Sequence, residues 1–286
     1  MELKVYKSLW GYDGDWRWAI LEALADGFDG IEGPAPAQTS ERRHLGRALQ
    51  VHDMDYIAEI CTAGSYVPDR HASPEQHLAS LRQRLEWSAE LTPRFVTSLA
   101  GCDAWPEDTS RDFFAEAMTL ADSFGLEISF ETHRGRSLFN PWTTRRLAEA
   151  LPELRLTVDF SHWCVVCERL MDSERDVIEA IAPQVRHVHA RVGYEQGPQV
   201  PHPAAPEHAL ALAAHQGWWE IVWNAMVQRG DRLATLTPEF GPDGYLHHLP
   251  FTGVPVANLR EINRWMAHTE RAHFAQCLPG SKLGDI

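Results

Sequence analysis

Five carboxylates and two imidazoles recur at one kind of position in this chain, the end of a short β-branched, apolar run: Glu32, Glu59, Glu131, Asp159 and Glu239, with His187 and His189. Acids are rare inside such runs unless they are paired or hold a metal. Three of them stand at equivalent points of three runs, in Phe130-Glu131-Thr132-His133, Val158-Asp159-Phe160-Ser161-His162 and Pro238-Glu239-Phe240. His187 and His189 are two residues apart, hence on one face of a strand. Glu131, Asp159, His189 and Glu239, taken from consecutive strands, would make a single-ion site of three carboxylates and one imidazole. Any one of these acids alone could equally cap a helix or pair with an arginine, a reading that weighs most for Glu59 and Glu32. The order of the four along the strands is what carries the assignment. An oxygen-rich set with one nitrogen suits one divalent ion, Mn²⁺ in the first place, with Mg²⁺, Co²⁺ or Zn²⁺ as substitutes. Such an ion would take two vicinal oxygens of a sugar and acidify the carbon beside a carbonyl. Glu131 and Glu239, on different strands, could then remove and return a proton from opposite faces.

The elements that must position these residues alternate. Eight strands are expected over residues 3–8, 30–32, 56–61, 95–100, 127–131, 156–159, 186–190 and 234–239, with amphipathic helices between them. Ser73-Pro74-Glu75 reads as an N-cap, a first-turn proline and an acid. Asn140-Pro141 opens another helix, Asp108-Thr109-Ser110 precedes a third, and Pro206-Glu207 opens the longest, towards Gly230. Alternation implies parallel strands with right-handed crossovers, and eight units predict a closed α/β (β/α)₈ TIM barrel, a single domain over residues 1–286. The first strand is followed by Ser8-Leu9-Trp10-Gly11-Tyr12 rather than a glycine-rich phosphate turn, so nucleotide binding has no positive sign. Two long loops, 192–206 and 241–255, follow the seventh and eighth strands, where barrels place function. The first is expected to cover the metal site.

Composition narrows the partners. With 26 Lys+Arg against 40 Asp+Glu, the net charge is -14, which argues against a nucleic-acid partner. No apolar run approaches a membrane span, and the N-terminus lacks a signal-peptide core. Five scattered cysteines, Cys164 and Cys167 among them, suit reduced thiols and a cytoplasmic setting. The partner is therefore expected to be a small molecule, with neither nucleic acid nor membrane, and a homo-oligomer is compatible with the chain.

At these residues the sequence resembles the xylose isomerase-like TIM barrel superfamily, the sugar phosphate isomerase/epimerase family. The resemblance covers essentially the whole chain and is strongest from Glu131 to Glu239. The family's Glu, Asp, His and Glu on strands five to eight match Glu131, Asp159, His189 and Glu239. The resemblance implies that His162, three residues after Asp159, helps hold substrate, and that His189 is the ligand of the His187/His189 pair. Glu131-Thr132-His133 looks like the family's Glu-Asn-His. Two positions depart from the ketose epimerase pattern: Glu195 stands where an arginine is usual, and Ser137 where a second glutamate is. Arg191, two after His189 and on the same side of its strand, is a candidate replacement. The metal pattern carries over and the substrate does not.

The implied activity is a divalent-metal-dependent isomerase or epimerase of a sugar or sugar derivative. The alternatives are a lyase or dehydratase on a keto-sugar, an inositol derivative or a glycoside, and a non-catalytic sugar-binding barrel. Phosphodiester hydrolysis on this fold needs a histidine-rich multi-zinc site and a basic face, which the charge opposes. Substrate contacts are expected from His162, Arg191, His133, His187 and Glu32, and from Trp10, Trp105 and Trp163, whose rings follow strand ends and could stack on a sugar. Arg134 and Arg136 could bind an anion or neutralise the acids around them. His247 and His248 could reach the mouth from the last loop.

Overall fold

A computed structural model describes residues 1–12, 15–242, 244–278 and 282–283, so Asp243, within the expected 241–255 loop, lies outside the described residues. Eight parallel strands close on themselves: β1 (Glu2–Ser8), β2 (Gly30–Gly33), β3 (Asp55–Cys61), β4 (Val96–Leu99), β5 (Ile128–Glu131), β6 (Leu156–Val158), β7 (Val185–His189) and β8 (Leu233–Thr237). β1 pairs with both β2 and β8, for example Ser8 with Glu32 and Val5 with Leu236, so the sheet has no open edge between them. A short β9 (Lys282–Leu283) adds beside the start of β1.

The crossovers are α1 (Trp16–Ala25), α2 (Thr39–Val51), α3 (Pro74–Ala89), α4 (Glu107–Ser123), α5 (Pro141–Ala150), α6 (Phe160–Cys167) with α7 (Arg175–Ile181), α8 (Ala209–Arg229) and α9 (Leu259–Cys277). Ser73 caps α3 in a reciprocal capping box with Gln76, and the Asn140 side chain accepts from Thr143 N–H at 2.9 Å to start α5. α8 ends on Gly230 at φ +86°, the left-handed conformation glycine adopts without a Cβ penalty. α4 begins at Glu107, just after Pro106, rather than at the expected Asp108-Thr109-Ser110.

Two strands stop earlier than their sequence suggests. β8 ends at Thr237 because Pro238 has no N–H for the ladder, so Glu239 stands two residues beyond it. β6 ends at Val158 because Asp159 is the N-cap of α6, its carboxylate accepting from Ser161 N–H at 2.9 Å.

Period-2 alternation sets the contents of the barrel. One interior layer holds Tyr6, Ile57 and Phe95, with the His187 ring 5.4 Å edge-on to Phe95. Thr97, Ser129 and Thr157 bond one another through their hydroxyls at 2.6–2.9 Å. Two residues beyond Ile57, Ser129, Thr157, His187 and Thr237 come Glu59, Glu131, Asp159, His189 and Glu239. The opposite strand faces carry aliphatic side chains that pack under the helices as the main core. No described helix is long and apolar enough to cross a membrane.

Candidate metal centre and its aromatic roof

The strand ends of β5 to β8 bring the four expected donors together. Ligand atoms of Glu131, Asp159, His189 and Glu239 all lie within 4.8 Å of one another, and all four residues are buried. His189 Nδ1 stands 3.1 Å from Glu239 Oε2 and 3.5 Å from Glu131 Oε1. His189 Nδ1, which faces this point, and the Glu131 Oε2 atom are buried and make no hydrogen bond. Buried polar atoms are rarely left so, and orphaned oxygen and nitrogen lone pairs are what a divalent ion uses. The residues therefore fit one. Both oxygens of Asp159 are already engaged, Oδ1 by Ser161 and Oδ2 by the Arg191 guanidinium, but a carboxylate oxygen has a further lone pair to give.

Glu32 lies behind His189, not in front of it. Its Oε1 accepts from His189 Nε2 at 2.9 Å, its Oε2 from His187 Nε2 at 3.2 Å and from the Thr237 hydroxyl. An ionised carboxylate only accepts, so it holds the His189 proton on Nε2 and turns the Nδ1 lone pair towards Glu131 and Glu239. His187 Nδ1 is tied to the Thr235 hydroxyl at 2.8 Å. Sequence reasoning placed Glu32 and His187 against substrate; in the structure their side chains bond to each other and to His189, Thr235 and Thr237, and neither lines the cavity above the donors.

The electrostatics follow from crowding acids in a buried space. Burial raises Glu131, and Glu239 raises it further against the pull of His189, to about 7. Burial and the charges of Glu239, Glu32 and Glu131 push Glu59 up to about 8, which leaves it protonated at neutral pH. Burial alone would lower the His189 ring, yet Glu239, Glu32 and Glu131 together lift it well above the usual imidazole range, so without an ion Nδ1 also carries a proton, which a bound ion would displace. Burial acts the other way on Glu32, but the two histidines hold it below the carboxylate range. Burial, with His133 and Arg191 adding to it, keeps His162 neutral.

Above the donors sits a small cavity of about 20 Å³, lined by Glu59, Glu131, Glu239, His133, Arg191 and Leu99 and flanked by Trp10, Tyr66 and Tyr245. That is room for about one water. The Trp10 and Tyr245 rings meet edge-on at 4.8 Å, and Tyr66 lies 6.2 Å from Tyr245. Arg191 stacks beneath both roof rings, 4.8 Å from Tyr245 and 5.5 Å from Trp10, while Arg134 covers Tyr245 at 4.9 Å. Arg191 also donates to His162 Nε2 at 2.6 Å and to Ser161 Oγ at 3.1 Å, joining the roof to the donors. Gly241 admits the roof: a Cβ there would stand 1.9 Å from the Trp10 ring.

Of the expected substrate contacts, Trp10, His133 and Arg191 line this cavity, and His162 packs against His133 with the rings tilted by 50° and 3.9 Å between their centroids. Trp163 and Trp105 sit in walls instead. Trp163 is fully buried and donates to Leu138 O at 3.2 Å, and Trp105 packs edge-on to His77 at 4.7 Å. Arg136 is spent on backbone carbonyls, Thr62 O at 2.7 Å among them, and His247 and His248 are exposed. The 192–206 loop does not supply the cover expected of it. Gln199 exchanges two hydrogen bonds with the Gly241 backbone, at 2.9 and 3.2 Å, so this loop braces the neighbouring one that carries Tyr245. Tyr66 and Tyr245 were missed; their only signal was an aromatic ring in a loop after a strand end.

Residues 20–204, more than half of the chain, match the family described as Xylose isomerase-like TIM barrel. The chain belongs to that family. No curated protein matches its sequence. Among solved structures it is similar to an L-ribulose 3-epimerase, at TM-score 0.68 and 12% identity over 97% of this chain and 96% of that one. It is similar also to a probable 3-DHS dehydratase, AsbF, from Bacillus anthracis, at TM-score 0.61 and 13% identity over 98% and 100% of the two chains. A third is the IOLI protein with a bound zinc atom, at TM-score 0.63 and 13% identity over 98% and 100%. At such identities these likenesses speak for the fold.

Proposed function

We propose that this barrel is a divalent-metal-dependent isomerase or epimerase of a sugar or sugar derivative, working by carboxylate-mediated proton abstraction beside a carbonyl. The observation that carries the reading is the convergence of Glu131, Asp159, His189 and Glu239, with Glu131 Oε2 and His189 Nδ1 buried and unpartnered. These four would hold one ion, Mn²⁺ in the first place. When bound, that ion polarises a carbonyl oxygen and lowers the barrier to losing the neighbouring C–H proton. Glu131 and Glu239 flank His189 from two strands, so one carboxylate removes the proton and the other returns it to the opposite face. His162 and Arg191 orient a substrate oxygen, and Trp10, Tyr66 and Tyr245 exclude water. A cavity of about 20 Å³ does not admit a sugar, so the two tyrosines must swing aside for substrate to enter. Five free thiols suit a cytoplasmic setting.

One observation favours a second reading, a lyase or dehydratase on a keto-sugar. Glu59, held protonated up to about 8, is a ready acid for an expelled hydroxyl. The two readings part in one experiment, a screen of keto- and aldo-sugars with the metal-loaded protein in D₂O followed by NMR. Deuterium entering a C–H position of an otherwise intact sugar marks the isomerase or epimerase, and loss of water marks the lyase. Glu131→Gln and Glu239→Gln should each lower turnover by about 10²–10⁴-fold. Turnover with the C–H label fully retained, in wild type and in both variants alike, would overturn proton abstraction.

A further inference from the structure

A second cluster of donors lies far from the barrel mouth, in the seam between α8 and α9. Glu220 projects from α8, and His273 and Cys277, four residues apart on α9, share one face of their helix. His273 Nε2 is 3.0 Å from Glu220 Oε1 and 3.6 Å from Cys277 Sγ, and Cys277 Sγ is 3.3 Å from Glu220 Oε1. The thiol lies nearer to Nε2, the nitrogen that meets Glu220, than to Nδ1, at 3.6 Å against 3.9 Å, so the three donors converge on a point.

The triangle has the size of one face of a tetrahedral zinc site. Bond lengths of about 2.3 Å to sulfur, 2.0–2.1 Å to nitrogen and 2.0–2.2 Å to oxygen place such ligand atoms about 3.4 Å apart for N and O and about 3.6 Å apart for S and O and for S and N. The three observed edges lie within about 0.4 Å of these without moving a side chain. Beside the triangle, Glu270, one turn before His273, takes a hydrogen bond from Gln216 at 2.9 Å, and burial pushes its carboxyl up to about 8, so it is uncharged at neutral pH. Trp223, its ring 5.9 Å from that of His273, backs the imidazole.

We infer that Glu220, His273 and Cys277 bind a zinc-like ion, with water in the fourth position, and that this ion clamps α9, the last helix of the barrel, to α8. Binding converts the Cys277 thiol to thiolate and releases its proton to solvent. Sulfur selects a softer ion than the oxygen-rich mouth, so the two sites sort different metals.

The test is a Co²⁺ titration of the full chain after chelator stripping, read by the thiolate-to-cobalt charge-transfer absorption in the near ultraviolet. The band should saturate by two equivalents in the wild type, one for each site, and at one in Asp159→Ala, collapse when Zn²⁺ is added and vanish in Cys277→Ser. In His273→Gln, which keeps the thiol, half-saturation should move up by more than about tenfold, the least expected for a lost metal partner. A wild-type chain without the band, or a band undiminished in either seam variant, overturns the inference.

Discussion

Removing Glu32 should weaken the metal at the barrel mouth although Glu32 is not one of its proposed ligands. It fixes the proton of His189 on Nε2 through a 2.9 Å contact and shares its other oxygen with His187 and Thr237. Glu32→Ala leaves the His189 ring free to turn or to change tautomer, and it removes the negative charge that strengthens the ring as a donor. Losing such a supporting carboxylate costs about 10–100-fold in metal affinity, or about 1.4–2.7 kcal/mol. Glu32→Gln should fall between wild type and alanine. Its carbonyl oxygen can still accept from His189, while its NH₂ faces His187, which can shift its proton to Nδ1 and donate to the Thr235 hydroxyl 2.8 Å away. Competition for Mn²⁺ against a fluorescent chelator at neutral pH reads the series. Were Glu32 a substrate contact, the role its strand-end position suggests, metal affinity would hold and KM would rise. An alanine variant whose dissociation constant stays within about threefold of wild type, well short of the 10–100-fold expected, would refute the support role.

In a Cys277→Ser background, which leaves only the mouth ion to count, Asp159→Ala should lose most of about one divalent ion per chain, and Asp159→Asn, which keeps an acceptor for Arg191, serves as the folding control; equal metal by elemental analysis with and without these changes would remove Asp159 from the site. Tyr245→Ala takes away the ring that meets Trp10 at 4.8 Å and covers Arg191, so acrylamide should quench Trp10 fluorescence more strongly, measured against a Trp10→Phe background; unchanged quenching would mean that the roof is not held by Tyr245. Metal-stripped protein should be most stable near pH 6–7, between two opposed limbs. On the alkaline side Glu131 at about 7 and Glu59 at about 8 keep protons that unfolded glutamates release near 4.5, so stability present below about pH 5 is lost as pH rises through 7–8. On the acid side His133, His162 and His187, whose burial keeps them neutral, take up protons on unfolding as pH falls below 6.5. Saturating divalent ion should flatten the alkaline limb, and equal urea midpoints at pH 6.5 and 8.5 in the stripped protein would contradict the raised carboxyls.

Strand periodicity made the donors legible, because alternation assigns a face without knowledge of what lies opposite. Glu131 and His189 could be placed inside the barrel on that ground alone. The period fails where the strand ends. Pro238 stops β8 at Thr237, and Asp159 already belongs to the cap of α6, yet both carboxylates still reach the centre because a single residue or two beyond the strand remains over the barrel mouth. Trp163 shows the opposite outcome: four residues past Asp159 the chain has become helical, and the helix turns that ring into the wall against Leu138 O. What lies opposite depends on closure, which no local pattern carries. Glu32 meets His189 across 157 positions of sequence. Tyr66 and Tyr245 meet over Arg191 from loops that follow the third and eighth strands. Local pattern therefore picks out residues that act through their own strand, and misplaces those, such as Glu32, whose task is to hold a side chain from the far side of the barrel.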